Sequence, residues 1–182
     1  MKLKSPYFVV FMLTLALLAC APEENNYTPE EPNNEFTFNG ETYNLESLII
    51  YDENTSTNEP GVIRLSLFNK ESAVITSNAD VNDVTYVYFE INATTLENST
   101  YTTIQEYNVS INNSVVDSDF ITGTTLLNHS DPASDLFAQS SAVNITNFTA
   151  FNIVFTFTFN RADGQVISGS YDGNYLAPNG IN

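Results

Sequence analysis

The sequence predicts an all-β domain, an antiparallel β-sandwich or sandwich-like barrel, and three observations carry that prediction. Runs rich in Val, Ile, Thr, Tyr and Phe recur at strand length over residues 48–51, 62–68, 84–91, 107–111 and 120–126, separated by clusters of Asn, Ser, Thr, Gly and Pro. The stretch EFTFNGETYNL sets Asn39-Gly40 between two alternating segments. A two-residue type I′ turn needs positive φ at both central positions, which Asn and Gly accept most readily. Near the C-terminus, Phe151, Ile153, Phe155, Phe157 and Phe159 fall on one face of a strand and Asn152, Thr156, Thr158 and Asn160 on the other, with Val154 the exception. That is the pattern of a half-buried strand.

Ahead of this domain lies a different kind of sequence. Residues 1–19 open with Lys2 and Lys4 and continue from Tyr7 to Ala19 as thirteen residues with only Tyr7 and Thr14 as polar interruptions. This run is too short to cross a bilayer as a helix and has the length and flanks of a signal peptide. It ends Leu17-Leu18-Ala19-Cys20, and Cys20 is the only cysteine of the chain. These four residues resemble the lipobox of bacterial lipoproteins. The resemblance implies that the Cys20 thiol accepts diacylglycerol, that cleavage makes it the first mature residue, and that palmitate-type acyl chains anchor the protein. Each buried methylene contributes about 0.8 kcal/mol, so several chains on one residue hold far more firmly than one. With no second cysteine, a disulfide within the chain and a thiolate metal site are excluded.

Residues 20–34 then read as a lipidated cysteine and an acidic tether, because APEENNYTPEEPNN offers three Pro, four Glu and no aliphatic larger than Ala21. Such a stretch buries too little surface to order itself, and in a polyproline-like state it reaches roughly 40 Å. Acidic residues after the cysteine are similar to the signal that sends Bacteroidota lipoproteins to the cell exterior. An outer-membrane location follows from that similarity, with the periplasmic and outward-facing leaflets both left open.

The domain itself is assigned to residues 35–182. With 42% hydrophobic and 13% aromatic content the chain can bury one domain's core. A helical turn is expected at Asp131-Pro132, an N-cap candidate before a proline. If Ala162-Asp163-Gly164 is a three-residue loop with Gly164 in the left-handed region, Arg161 pairs with Gln165. Phe159 then faces Ile167, Phe157 faces Gly169 and Phe155 faces Tyr171, a ring over a glycine being a sound cross-strand match. The sequence from Ser140 to Pro178, with its Asp-Gly turn and ISGSYDG, resembles the closing hairpin of uncharacterised β-sandwich lipoproteins of flavobacterial type in Bacteroidota. The resemblance implies a lipid-anchored β domain and brings no catalytic residues with it.

Charge narrows the partners. From Cys20 onward Arg64, Lys70 and Arg161 stand against 22 acids, a net charge of −19. Nucleic acid is excluded as a partner, since phosphate binding needs clustered cations. Calcium is the better chemical candidate: SNADVNDVTY spaces Asn78, Asp80 and Asn82 at alternate positions with Asp83 adjacent, so oxygen ligands converge on a hard cation. The stretch departs from an EF-hand, with Asp83 at the glycine position and Phe89 at that of the bidentate acid. An ordinary Asx-rich turn is the first reading of the stretch, and calcium binding the alternative to it. His129, the one histidine, reads as a loop or capping residue.

The remaining candidate is aromatic. In DVTYVYFEI, Val87, Phe89 and Ile91 share one face and Val84, Tyr86 and Tyr88 the other. Either the strand is buried on both sides, or Tyr86 and Tyr88 lie on a patch that takes a glycan or protein ligand by stacking. The expectation is therefore a lipid-anchored envelope protein with a β-sandwich binding or structural module. A glycosidase-like hydrolase using paired carboxylates is the alternative, since 22 acids offer many pairs.

Overall fold

The structure, a computed structural model, describes residues 33–54, 60–77 and 79–180. The signal segment, Cys20 and all of the tether but its last two residues lie outside the described residues. In chain order the elements are β1 (Glu35–Phe38), β2 (Glu41–Asn44), β3 (Ser47–Asp52), β4 (Gly61–Phe68), α1 (Ser72–Ile75), β5 (Val81–Ala93), β6 (Thr100–Tyr101), β7 (Tyr107–Val116), β8 (Asp119–Ile121), β9 (Thr124–Asn128), β10 (Ala138–Phe148), β11 (Asn152–Arg161) and β12 (Val166–Leu176).

Hydrogen bonding orders the strands β6-β10-β11-β12-β3-β4-β5-β7-β8, with β1 on β12 and β2, and β9 on β7. The ends of this path do not meet, so the sheet is not a closed barrel and the sandwich-like reading holds. Strand β12 is the seam: Ser168–Ser170 pair with β1, while Tyr175 and Leu176 pair in parallel with Leu48 and Ile49 of β3. One layer is thus β2-β1-β12-β11-β10-β6 and the other β3-β4-β5-β7 with β8 and β9.

The alternating strand predicted near the C-terminus is the centre of the core. Ile153, Phe155, Phe157 and Phe159 are buried on β11, and Phe89 of β5 reaches across the layers to the three phenylalanine rings at centroid distances of 5.9, 6.0 and 6.2 Å. Burying one such ring contributes about 1.5–3 kcal/mol. Both hairpins have the expected chemistry. Asn39 and Gly40 take φ of 53° and 78°, and Gly164 takes 83°. The Arg161 N–H donates to Gln165 O at 2.8 Å, and the register pairs Phe159 with Ile167, Phe157 with Gly169 and Phe155 with Tyr171. Arg161 clamps the turn: its buried guanidinium donates to Leu126 O at 2.8 Å and Asp163 Oδ2 at 2.7 Å, and lies 5.1 Å from the Phe38 ring centroid.

Three expectations are corrected, and one element is new. Phe151 is not on the buried face: it is 80% exposed, because the chain reverses at Thr149, whose N–H donates to Asn152 O at 2.9 Å, and β11 begins only at Asn152. The run 120–126 is two strands, β8 and β9, which pair with successive parts of β7. At Asp131-Pro132 there is a turn and no helix: Asp131 Oδ1 accepts the Ala133 N–H, and Asp131 O the Ser134 N–H, both at 3.0 Å. The one helix among the described residues is α1, at a place the sequence reading passed over.

Candidate functional site

Strand β5 lies between β4 and β7, so its two faces see different surroundings. Val87, Phe89 and Ile91 enter the core. Tyr86 and Tyr88 point away from it and are half-buried, an outcome between the two alternatives the sequence posed. Cross-strand pairing sets Phe68 beside Tyr86, Ser66 beside Tyr88 and Arg64 beside Glu90, so this outer face is apolar at one end and charged at the other.

The apolar end is built by three pieces of chain. Phe68 stacks on Tyr86 at 5.0 Å, and Tyr86 on Tyr88 at 6.1 Å. The β7–β8 turn is made by Asp117 and Ser118 at φ of 53° and 70°, which brings Phe120 back beside Val115 and over Tyr86 at 5.3 Å. After β4, the Asn69 side chain accepts the Thr85 N–H at 2.8 Å and donates to Asp83 O at 2.9 Å, turning the chain into α1 so that Ile75 closes a third side. Phe68, Ile75, Tyr86, Val115, Ser118 and Phe120 line a concavity of about 390 Å³, within the range of ligand sites. It sits over a second apolar cluster of Ile49, Phe68, Val81, Val84 and Val115, separate from the main core. Phe120 is 43% exposed, and burial pushes the Tyr86 hydroxyl above the ordinary tyrosine range.

At the charged end, the Tyr88 hydroxyl donates to Glu90 Oε1, and Arg64 bridges Glu90, at 2.8 Å from Nε, and Glu53. Burial and then the Glu90 carboxylate hold the Tyr88 hydroxyl far above its ordinary value, so it is a fixed donor at any physiological pH. Glu53 and Glu90 share one guanidinium. Beside Glu90 is a hollow of only about 30 Å³, bounded by Val62, Asn92, Thr103 and Gln105, room for a single water. This end is a hydrogen-bonded wall for the aromatic face.

No protein family, curated protein or solved structure matches this chain.

The residues read as calcium ligands are placed as follows. Asn78 lies outside the described residues. Asp80 Oδ1 accepts the Asp117 N–H at 3.0 Å, Asn82 is exposed, and Asp83 takes φ of 54° at the irregular start of β5. Among the described residues no three His, Cys, Asp or Glu side chains gather to hold a metal. His129 is packed in its loop, its Nδ1 3.1 Å from Tyr107 O and its ring edge-on to Tyr107.

Sequence reasoning found Tyr86 and Tyr88 and missed the residues that make a concavity around Tyr86. Phe68 and Phe120 were visible as members of strand runs, but nothing local marks which face of one strand meets which face of another. Only the 117–118 turn left a trace, an Asp-Ser pair among polar residues, and it is weaker than Asn-Gly.

Proposed function

We propose that this chain is a lipid-anchored protein of the cell envelope whose β-sandwich presents the Phe68–Tyr86–Phe120 concavity as a binding surface for a glycan or protein ligand. The observation that carries the binding role is the ring cluster itself. Aromatic side chains stack on the outer face of a central strand, with Phe120 held over them by a tight turn and left partly exposed. Aromatic surface kept at the boundary with water is the composition of binding patches, and stacking on the strand fixes its shape before a ligand arrives.

The anchor rests on Leu17-Leu18-Ala19-Cys20 after the apolar run, and the envelope placement on the resemblance to Bacteroidota lipoproteins. Residues 21–34 separate that cysteine from the first residue of β1, enough chain to hold the domain clear of a lipid surface. An outer-membrane, outward-facing position suits a binding module and belongs to the same proposal.

Two measurements test it. Cys20→Ser is expected to abolish labelling by a fatty-acid probe and to move the protein out of the detergent-extracted membrane fraction; unchanged labelling refutes the anchor. For the binding role, the full chain in detergent is screened on glycan and peptide arrays beside Phe120→Ala and Tyr86→Ala. A ligand lost in both variants supports the concavity, and ligands indifferent to both refute it.

A further inference from the structure

The binding reading leaves the ligand class open, and the border of the concavity narrows it. The segments that frame it, residues 68–84 and 115–121, carry Glu71, Asp80, Asp83, Asp117 and Asp119 against Lys70 alone. All five acids are exposed. They lie on the segments that supply the lining: Glu71 precedes α1, which carries Ile75; the Asp83 carbonyl accepts from the side chain of Asn69, the neighbour of Phe68; Asp117 and Asp119 stand on either side of Ser118 in the chain; and the Asp80 carboxylate accepts the Asp117 N–H. The floor is different in kind. Of its six residues only Ser118 and Tyr86 have polar side chains.

Resting on the binding reading, we infer that the concavity receives a cationic protein segment, in which an apolar side chain seats over Tyr86 and Phe120 while flanking lysines or arginines face the acidic rim. A sugar matches this floor poorly, because its many hydroxyls lose water and find only two polar side chains there. An aliphatic or aromatic side chain gives up no hydrogen bonds on entering, and burying it contributes the larger share of affinity as the central anchor of a polar-rimmed contact. The rim supplies orientation and association rate, since opposite charge steers encounter and like charge excludes wrong partners. A second copy of this chain is such a wrong partner: at −19 from Cys20 onward it meets the rim with the same sign. The tether, with four Glu and no Lys or Arg, is another.

The test uses the full chain in detergent and four synthetic octapeptides, read by fluorescence anisotropy: one with a central Leu-Phe between lysine pairs, one with glutamates for the lysines, one with serines for the lysines, and one keeping the lysines with Gly-Gly at the centre. The first is expected to bind most tightly, to weaken as salt is raised, and to lose about tenfold in affinity with Phe120→Ala. Asp117→Asn combined with Asp119→Asn, both exposed and so compatible with folding, is expected to flatten the salt dependence while leaving the Leu-Phe preference. Equal binding of the first and the Gly-Gly peptides overturns the inference, as does binding that ignores the sign of the peptide charge. So does self-association abolished by Phe120→Ala, which gives the face to a second copy. A glycan that depends on Tyr86 and Phe120, with no lysine peptide bound, also overturns it yet keeps the binding reading; no ligand of any class dependent on those residues removes both.

Discussion

Phe157 lies directly across from Gly169 on the neighbouring strand, and its ring occupies the space a side chain at Gly169 would need. A Cβ at that position would stand 2.5 Å from Phe157 Cζ, 2.5 Å from Glu35 O and 2.6 Å from Phe36 Cβ. The ring can give way, but the backbone of β1 cannot move without opening its pairing with β12. Gly169→Ala is therefore expected to cost about 3 kcal/mol, at the upper end of overpacking effects, read from the chemical denaturation midpoint at unchanged slope. Adding Phe157→Leu should recover only part of that loss, because the contacts with β1 remain.

Gly164 is a glycine of the other kind. Nothing lies within 4 Å of a Cβ built there, and its φ of 83° is the whole constraint. Gly164→Val should destabilise the domain by roughly 1–3 kcal/mol through backbone strain alone. Gly164→Asn should cost visibly less, since Asn tolerates the left-handed region. Equal losses for Val and Asn in thermal unfolding would point to a steric cause and contradict the open space at the turn.

Ser110 sits opposite Tyr86 in the β5–β7 register and is fully buried, with no hydrogen-bond partner for its Oγ. A buried hydroxyl without a partner has lost water for nothing in return. Ser110→Ala is expected to leave stability unchanged or raise it by up to about 1 kcal/mol. A loss above that in equilibrium unfolding would show that the hydroxyl has a partner in solution.

Alkaline unfolding should follow the buried tyrosines. Burial, and then the neighbouring Asp172, pushes the Tyr171 hydroxyl up to about 12, while it donates to Asn174 O at 2.7 Å. The unfolded chain gives up this proton near pH 10 and the folded chain keeps it, so above that pH the folded state binds more protons. Stability is then constant with respect to this group below about pH 10 and falls by about 1.4 kcal/mol per pH unit until about pH 12. Tyr86, Tyr88 and Tyr107 are raised by burial too and steepen the fall. Tyr171→Phe should make the alkaline limb shallower, after a loss of about 1 kcal/mol at neutral pH for the missing hydrogen bond. Denaturation midpoints across this pH range check both parts.

What was legible from sequence was local. The 39–40 turn could be read, and the 161–165 hairpin with its register, because a short turn fixes which residues face each other and period-two alternation then assigns each side chain to a face. The same logic placed Phe155, Phe157 and Phe159 in the core and put Tyr86 and Tyr88 together on one face of their strand. It misplaced Phe151, where alternation continues in the letters while the chain has already turned at Thr149.

What only the tertiary structure decided was non-local. That β12 leaves β1 and finishes beside β3, that Phe120 folds back over Tyr86, and that α1 brings Ile75 to the same hollow all depend on pairings between segments far apart in the chain. Alternation says that a residue faces one side of a sheet and is silent on what lies there, because the same apolar pattern serves a core between two layers and a concavity open to water. Tyr86 and Phe89 are both aromatic residues of one strand run. The packing of β11 against one face of β5, and of a short turn against the other, made one of them core and the other the floor of a site.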